Sequence, residues 1–240
     1  SSGHLVIFQG LFGVRVGEGI VFEVAVHLAT LAAILLFYRR RIWALVNGLL
    51  KAESHSWHFV TALCVGTLPI VVFALLARDW IGQQYESLVV VGVCLLATGG
   101  IVWTTRYTKH GSHSHVLTWK VALLIGCAQA VAVLPGISRS GATVAAAMAL
   151  GIAPLAAAEF SFLLGAIAIV GASILQIPEL SGITSQQMSA IAIGSVAALI
   201  SGLGAIWLFV RLLQGKRFHN FAWYAWLLGA ATLISVGVSG

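Results

Sequence analysis

The chain has 240 residues, is 60% hydrophobic and only 8% charged, and carries a formal net charge of +6. A mean hydropathy of +1.00 excludes a soluble domain and predicts an all-α integral membrane protein, with residues 1–240 forming a single polytopic membrane domain. The positive charge is no nucleic-acid footprint, because the basic residues sit at the ends of apolar runs and form no stripe that could track phosphates.

In chain order, the sequence opens on Ser1-Ser2-Gly3-His4 with no initiator methionine, so a missing upstream segment is expected. Six segments are long enough to span: Gly19–Phe37, Phe59–Leu76, Leu88–Trp103, Ala156–Leu175, Met188–Val210 and Phe221–Val238. Between the third and fourth lie a polar tract, Lys109 to His115, read as a flexible loop, and two shorter apolar runs. Val121–Leu134 has 14 residues and Ala142–Ala153 has 12. As a helix either reaches only ~21 Å, short of the ~30 Å hydrocarbon core. The pair therefore reads as a re-entrant hairpin with Pro135-Gly136-Ile137-Ser138-Arg139-Ser140-Gly141 at its tip. Non-helical backbone at that depth is tolerated only where protein buries it or a wet cavity borders it. The three cysteines, Cys64, Cys94 and Cys127, fall inside apolar segments without metal-ligand spacing and read as buried packing thiols.

Lysine and arginine set the orientation. With Arg39, Arg40, Arg41 and Lys51 cytoplasmic, ten of the 13 basic residues fall inside, Arg15 and Arg78 outside, and Arg139 at the hairpin tip. Both chain ends then face outward. Ser2-Gly3-His4-Leu5-Val6 weakly echoes Ser140-Gly141-Ala142-Thr143-Val144, and Glu23 follows the first copy much as Glu159 follows the second. Three crossings separate the copies. The expectation is an inverted-topology repeat, residues 1–115 and 116–240, with two re-entrant hairpins of which the first is incomplete.

An arginine near the bilayer centre costs roughly 2.5–3.5 kcal/mol on insertion scales, so Arg139 should face a partner or a wet path. One reading is a structural salt bridge to Glu159 or Glu23. The other is anion capture. A guanidinium fork suits phosphate oxygens, Gly136 and Gly141 let backbone approach, and Ser138, Ser140 and Thr143 add hydroxyls at a helix N-terminus. His4 is either a polar tether or a general acid or base. Glu23 and Glu159 are supporting carboxylates near helix starts, in structural or direct roles. His27 should pack one turn from Glu23, and Arg39-Arg40-Arg41 reads as a topology anchor.

Pro135-Gly136-Ile137-Ser138-Arg139-Ser140-Gly141-Ala142-Thr143 and Glu159-Phe160-Ser161-Phe162-Leu163-Leu164 resemble the undecaprenyl-diphosphate phosphatase family, the BacA-type bacitracin-resistance proteins. Phe22-Glu23-Val24-Ala25-Val26-His27-Leu28, Phe37-Tyr38-Arg39-Arg40 and Ser1-Ser2-Gly3-His4 add weaker support. The resemblance implies hydrolysis of undecaprenyl diphosphate to undecaprenyl phosphate and phosphate, in a multi-pass protein of the bacterial inner membrane with its site open to the periplasm. It implies catalytic roles for Ser1, as nucleophile, His4 and Arg139. Phosphate contacts would come from Ser2, Gly136, Ser138, Arg139, Ser140, Gly141 and Thr143. A divalent cation, Mg or Ca, is expected, with metal ligands unknown and no organic cofactor. The family's glutamate-rich first motif would lie upstream of Ser1, so the 240 residues alone are expected to lack part of the reacting groups. Partners are the prenyl diphosphate lipid and the bilayer, with no nucleic acid, and a homodimer stays open. The rival reading is a transporter or flippase for an anionic or lipid-linked phosphate, which needs a reversible anion site but no paired Ser1 and His4.

Overall fold

The computed structural model describes residues 2–12, 20–108, 117–176 and 185–239. Among these residues are eleven α-helices and no strand: α1 (Ser2–Phe12), α2 (Ile20–Phe37), α3 (Arg39–Leu50), α4 (Ser54–Leu76), α5 (Arg78–Gln84), α6 (Leu88–Thr104), α7 (Trp119–Val131), α8 (Arg139–Ala149), α9 (Pro154–Gln176), α10 (Ser185–Gln214) and α11 (Phe221–Ser239). The all-α membrane class expected from composition is what forms.

Five described segments are long and apolar enough to cross a bilayer: Ser54–Leu76, Leu88–Tyr107, Pro154–Gln176, Met188–Gln214 and Phe218–Val238. A sixth passes the same test only when α2 and α3 are taken together, as a pair bent by 73° at Tyr38; the basic residues Arg39, Arg40 and Arg41 open α3. The crossing Leu88–Trp103 does borrow a turn, continuing through the 3-10 turn Thr105–Tyr107. Helix starts follow local chemistry. Ser87 caps α6 by accepting from the Val90 N–H at 3.3 Å, and Thr118 caps α7 by accepting from Val121 at 3.3 Å.

With little hydrophobic drive between helices in lipid, close packing depends on small residues. A side chain on Gly126 of α7 would run into the Gly66 carbonyl of α4, and one on Gly99 of α6 into the Trp226 indole of α11. The Trp226 Nε1–H also donates to the Leu96 carbonyl at 3.1 Å, tying α11 to α6. The short helices α7 and α8 lie against each other, with α7 also against α4 and α8 against α9. Their shared core holds Ile125, Val144, Ala147, Phe160 and Leu164. This is the helix–turn–helix expected of the re-entrant hairpin.

One expectation needs correction. Only Cys94 is buried; Cys64 and Cys127 are exposed, on the outer faces of α4 and α7. In a membrane helix both the lipid face and the core face are apolar, so an apolar setting did not mean an inward one. The tract Lys109–His115 and the residues Ser1 and Arg15 lie outside the described residues.

Candidate active site

The turn between α7 and α8 is pinned by a residue of neither helix. The Thr98 hydroxyl of α6 donates to the Gly136 carbonyl at 2.8 Å and accepts the Ser138 N–H at 3.0 Å. Thr98 is buried, so each bond replaces water that the loop's polar groups have lost. Gly136 has φ +98°, a left-handed conformation open to glycine, and a Cβ there would stand 2.5 Å from the Val91 carbonyl. Tyr85 closes the other side, its hydroxyl donating to the Val133 carbonyl at 3.1 Å.

The loop delivers Ser138 as the N-cap of α8, its Oγ accepting the Gly141 N–H at 3.1 Å. That leaves the Ser138 O–H proton available to an outside acceptor. The N–H groups of Arg139 and Ser140, in the first helical turn, have no acceptor within the helix. Arg139 starts α8, and its guanidinium lies against α9 at Gly165. A Cβ on that glycine would be 3.6 Å from Nε and 3.7 Å from Cζ, so a larger side chain would displace the fork. Tyr85 is within electrostatic reach of the same guanidinium.

Arg139 is not the partner of Glu159. The Glu159 carboxylate is bonded by Arg41 of α3, Nε to Oε1 at 2.7 Å, and Arg41 also lies 4.9 Å over the Phe59 ring. The structural alternative raised for Arg139, a bridge to Glu159 or Glu23, is therefore not what forms among the described residues, where neither carboxylate pairs with it, and Arg41 is more than the topology anchor its neighbours suggested. Thr143 also differs from expectation. It is fully buried, and its hydroxyl is engaged with the Arg139 carbonyl at 2.8 Å and with Ser161 Oγ. It braces the first turn of α8 from below and is not presented at the loop surface. Glu23 lies in the first turn of α2, and its carbonyl receives a His27 Nδ1 contact at 2.7 Å, the expected one-turn neighbour.

The start of α1 meets this loop. A Cβ on Gly3 would be 3.0 Å from both Cα and N of Gly136, so the two backbones are in contact there. Val6 and Ile7 then pack on Val91 and Leu95 of α6. His4, next to that contact, hydrogen-bonds through Nε2 to the Tyr224 hydroxyl of α11, with the rings stacked at 5.9 Å. Its Nδ1 is buried without a hydrogen-bond partner among the described residues. The structure thus brings Gly3 against Gly136, with His4 next in sequence and bonded to Tyr224, while Ser138, Arg139 and Ser140 follow Gly136 along the same loop and the start of α8. It places Glu159 in another pair, and Ser1 is outside the described residues.

Residues 1–231 match the model of the family described as bacitracin resistance protein BacA. The chain belongs to the BacA family. An undecaprenyl-diphosphatase of Desulfatibacillum aliphaticivorans is 34% identical over 253 residues, covering 98% of this chain and 91% of that protein. One of Desulfosudis oleivorans is 36% identical over 248 residues, covering 97% and 90%, and one of Acinetobacter baumannii is 34% identical over 239 residues, covering 98% and 88%. With the described helices, membership in the BacA family makes this a multi-pass membrane protein.

Among the residues around this BacA-family loop that escaped the sequence reading are Thr98, Gly165 and Tyr224. A threonine, a glycine and a tyrosine inside apolar runs carry no local mark of function, and each meets the site across a long stretch of chain. Arg41 was visible as a charge but its partner, 118 residues away, was not. Among the described residues no three His, Cys, Asp or Glu side chains converge into a preformed metal site; a divalent cation shared between one or two carboxylates and substrate phosphates would need no such cluster.

Proposed function

We propose that the protein hydrolyses undecaprenyl diphosphate to undecaprenyl phosphate and inorganic phosphate, with the diphosphate held at the tip of the α7–α8 hairpin. The observation that carries this reading is the seating of Arg139. A guanidinium without a carboxylate partner among the described residues sits at a helix N-terminus beside a capped serine, inside an apolar helix bundle. Every group offered there is a donor, and an oxyanion is the complement. The relatives' names supply the substrate, and a lipid-linked diphosphate suits a site reached from within the membrane.

In this reading Arg139 and the first N–H groups of α8 take up charge that grows on the leaving phosphate, the dominant form of help in phosphoryl transfer. The Ser138 hydroxyl, fixed by the Gly141 N–H it accepts, donates to a phosphate oxygen. His4 manages the proton. If its Nε2–H donates to Tyr224, the unpartnered Nδ1 is the basic atom, and it can accept hydrogen from the attacking oxygen. That oxygen belongs to Ser1, with Ser2 beside it, or to water. It bonds to the terminal phosphorus while the bridging P–O bond breaks, and undecaprenyl phosphate leaves; attack by water gives inorganic phosphate directly, whereas attack by Ser1 leaves a phosphoserine that a water then hydrolyses, releasing phosphate and restoring the hydroxyl. The hairpin enters from the cytoplasmic side and α1 runs outward from it, as half-membrane elements of an inverted repeat, with the site opening to the periplasm.

The test is direct. Full-length protein in detergent, given undecaprenyl diphosphate, should release phosphate and leave undecaprenyl phosphate. A monodisperse preparation that releases none would refute the proposal.

A further inference from the structure

Beyond the close contact of Gly66 with Gly126, α4 and the tip-side half of α7 leave a groove of about 420 Å³ between them. Its walls are Leu68, Val72 and Phe73 of α4 and Leu123, Cys127 and Ala130 of α7, all apolar. Leu68, Val72 and Cys127 are exposed, so the groove opens on the lipid side. Its volume falls within the roughly 300–1,000 Å³ of small-molecule sites.

The neighbouring side chain on α7 is of the opposite kind. Gln129, between Cys127 and Ala130 in sequence, is fully buried, and neither its Oε1 nor its Nε2 has a hydrogen-bond partner among the described residues. Within one turn, α7 passes from an apolar groove wall to a buried amide, and the next residues form the loop that carries Arg139. The groove therefore runs along the hairpin limb toward its polar tip. An ordinary bilayer lipid keeps its head group at the interface. A lipid whose diphosphate is drawn down to Arg139 must lay its first apolar units along helices at the depth of the tip, and this groove follows the limb that leads there.

From this arrangement we infer that the α4–α7 groove seats the isoprene units nearest the diphosphate. The inference rests on the proposed reaction and adds the place where the chain is recognised.

Two measurements on the full-length protein test it. Cys127→Trp and Val72→Trp fill the groove from opposite walls and face lipid, so insertion should be normal. Each is expected to raise KM for undecaprenyl diphosphate by roughly tenfold while kcat changes little, the pattern of lost uniform binding. In a Cys64→Ser background in nanodiscs, maleimide labelling of Cys127 should slow when undecaprenyl phosphate is added. The same mole fraction of phosphatidic acid, with an acyl chain, should leave it unchanged. This second measurement stands even where a tryptophan variant fails to fold. Wild-type turnover combined with unaltered KM, or with equal labelling in both lipids, would overturn the groove and leave the reaction intact. Absence of wild-type turnover would instead overturn the reaction.

Discussion

Thr98 shows how much one hydroxyl can hold in a setting without water. It satisfies a carbonyl and an N–H of the α7–α8 loop at once, at 2.8 and 3.0 Å. Thr98→Val keeps the shape and leaves both loop groups unpaired. The expected destabilisation is about 1–3 kcal/mol, read as a lower melting temperature in detergent, and phosphatase activity should fall with it. Thr98→Ser, which keeps the hydroxyl, should restore most of both. A fully active and stable Thr98→Val protein would show that the loop holds its shape without this staple. The Arg41–Glu159 pair is a different case. Both side chains remain partly exposed, at 29% and 27%, so a double-mutant cycle of Arg41→Ala and Glu159→Gln should give a coupling of only about 0.2–1 kcal/mol. Activity should survive Glu159→Gln. A loss comparable to that of an Arg139 variant would return Glu159 to the site.

At the scale of elements, the site is a contact between a loop and a helix end. Gly136, with φ +98° and the Val91 carbonyl behind it, lets the loop turn, and Gly3 lets α1 reach it. Gly136→Ala combines a strained backbone with a 2.5 Å clash and should remove folded protein, seen as loss of a monodisperse peak. Gly3→Ala places its Cβ only 3.0 Å from the Gly136 backbone, and the outcome should be milder. The protein should fold while α1 and the loop separate by a few tenths of an ångström, with kcat/KM reduced about tenfold or more as His4 shifts. Undiminished kcat/KM in Gly3→Ala would mean that His4 does not work through this contact.

Over the whole molecule, the length of the apolar runs made the crossings legible, and the two short limbs around Arg139 made the hairpin legible. What the runs could not show is which face of each helix turns inward. Lipid and protein core are equally apolar, so Cys64 and Cys127 read like Cys94, yet only Cys94 is buried. The same ambiguity hid Thr98 and Gly165, whose importance comes from what lies across the bundle. Arg139, Ser138 and the loop glycines were legible because polar groups and glycines between two half-length apolar limbs have few bland explanations. The charge topology has its own test. A single cysteine at Ala52, an exposed turn position between α3 and α4, should react in intact cells with permeant thiol reagents alone. Labelling by an impermeant reagent would invert the orientation and place Arg139's hairpin on the opposite side.

In the proposed reaction Arg139 grips phosphate and is not a structural counter-ion, and its fork makes that role separable from its charge. Arg139→Lys keeps the charge but cannot present two parallel N–H groups. The decisive measurement is kcat/KM for undecaprenyl diphosphate in Arg139→Lys, alongside its melting temperature. With Glu159 bonded to Arg41, the expected result is wild-type expression and melting with a loss on the order of 10²-fold or more in kcat/KM. Near-wild-type kcat/KM in a protein whose melting temperature has dropped would contradict the account.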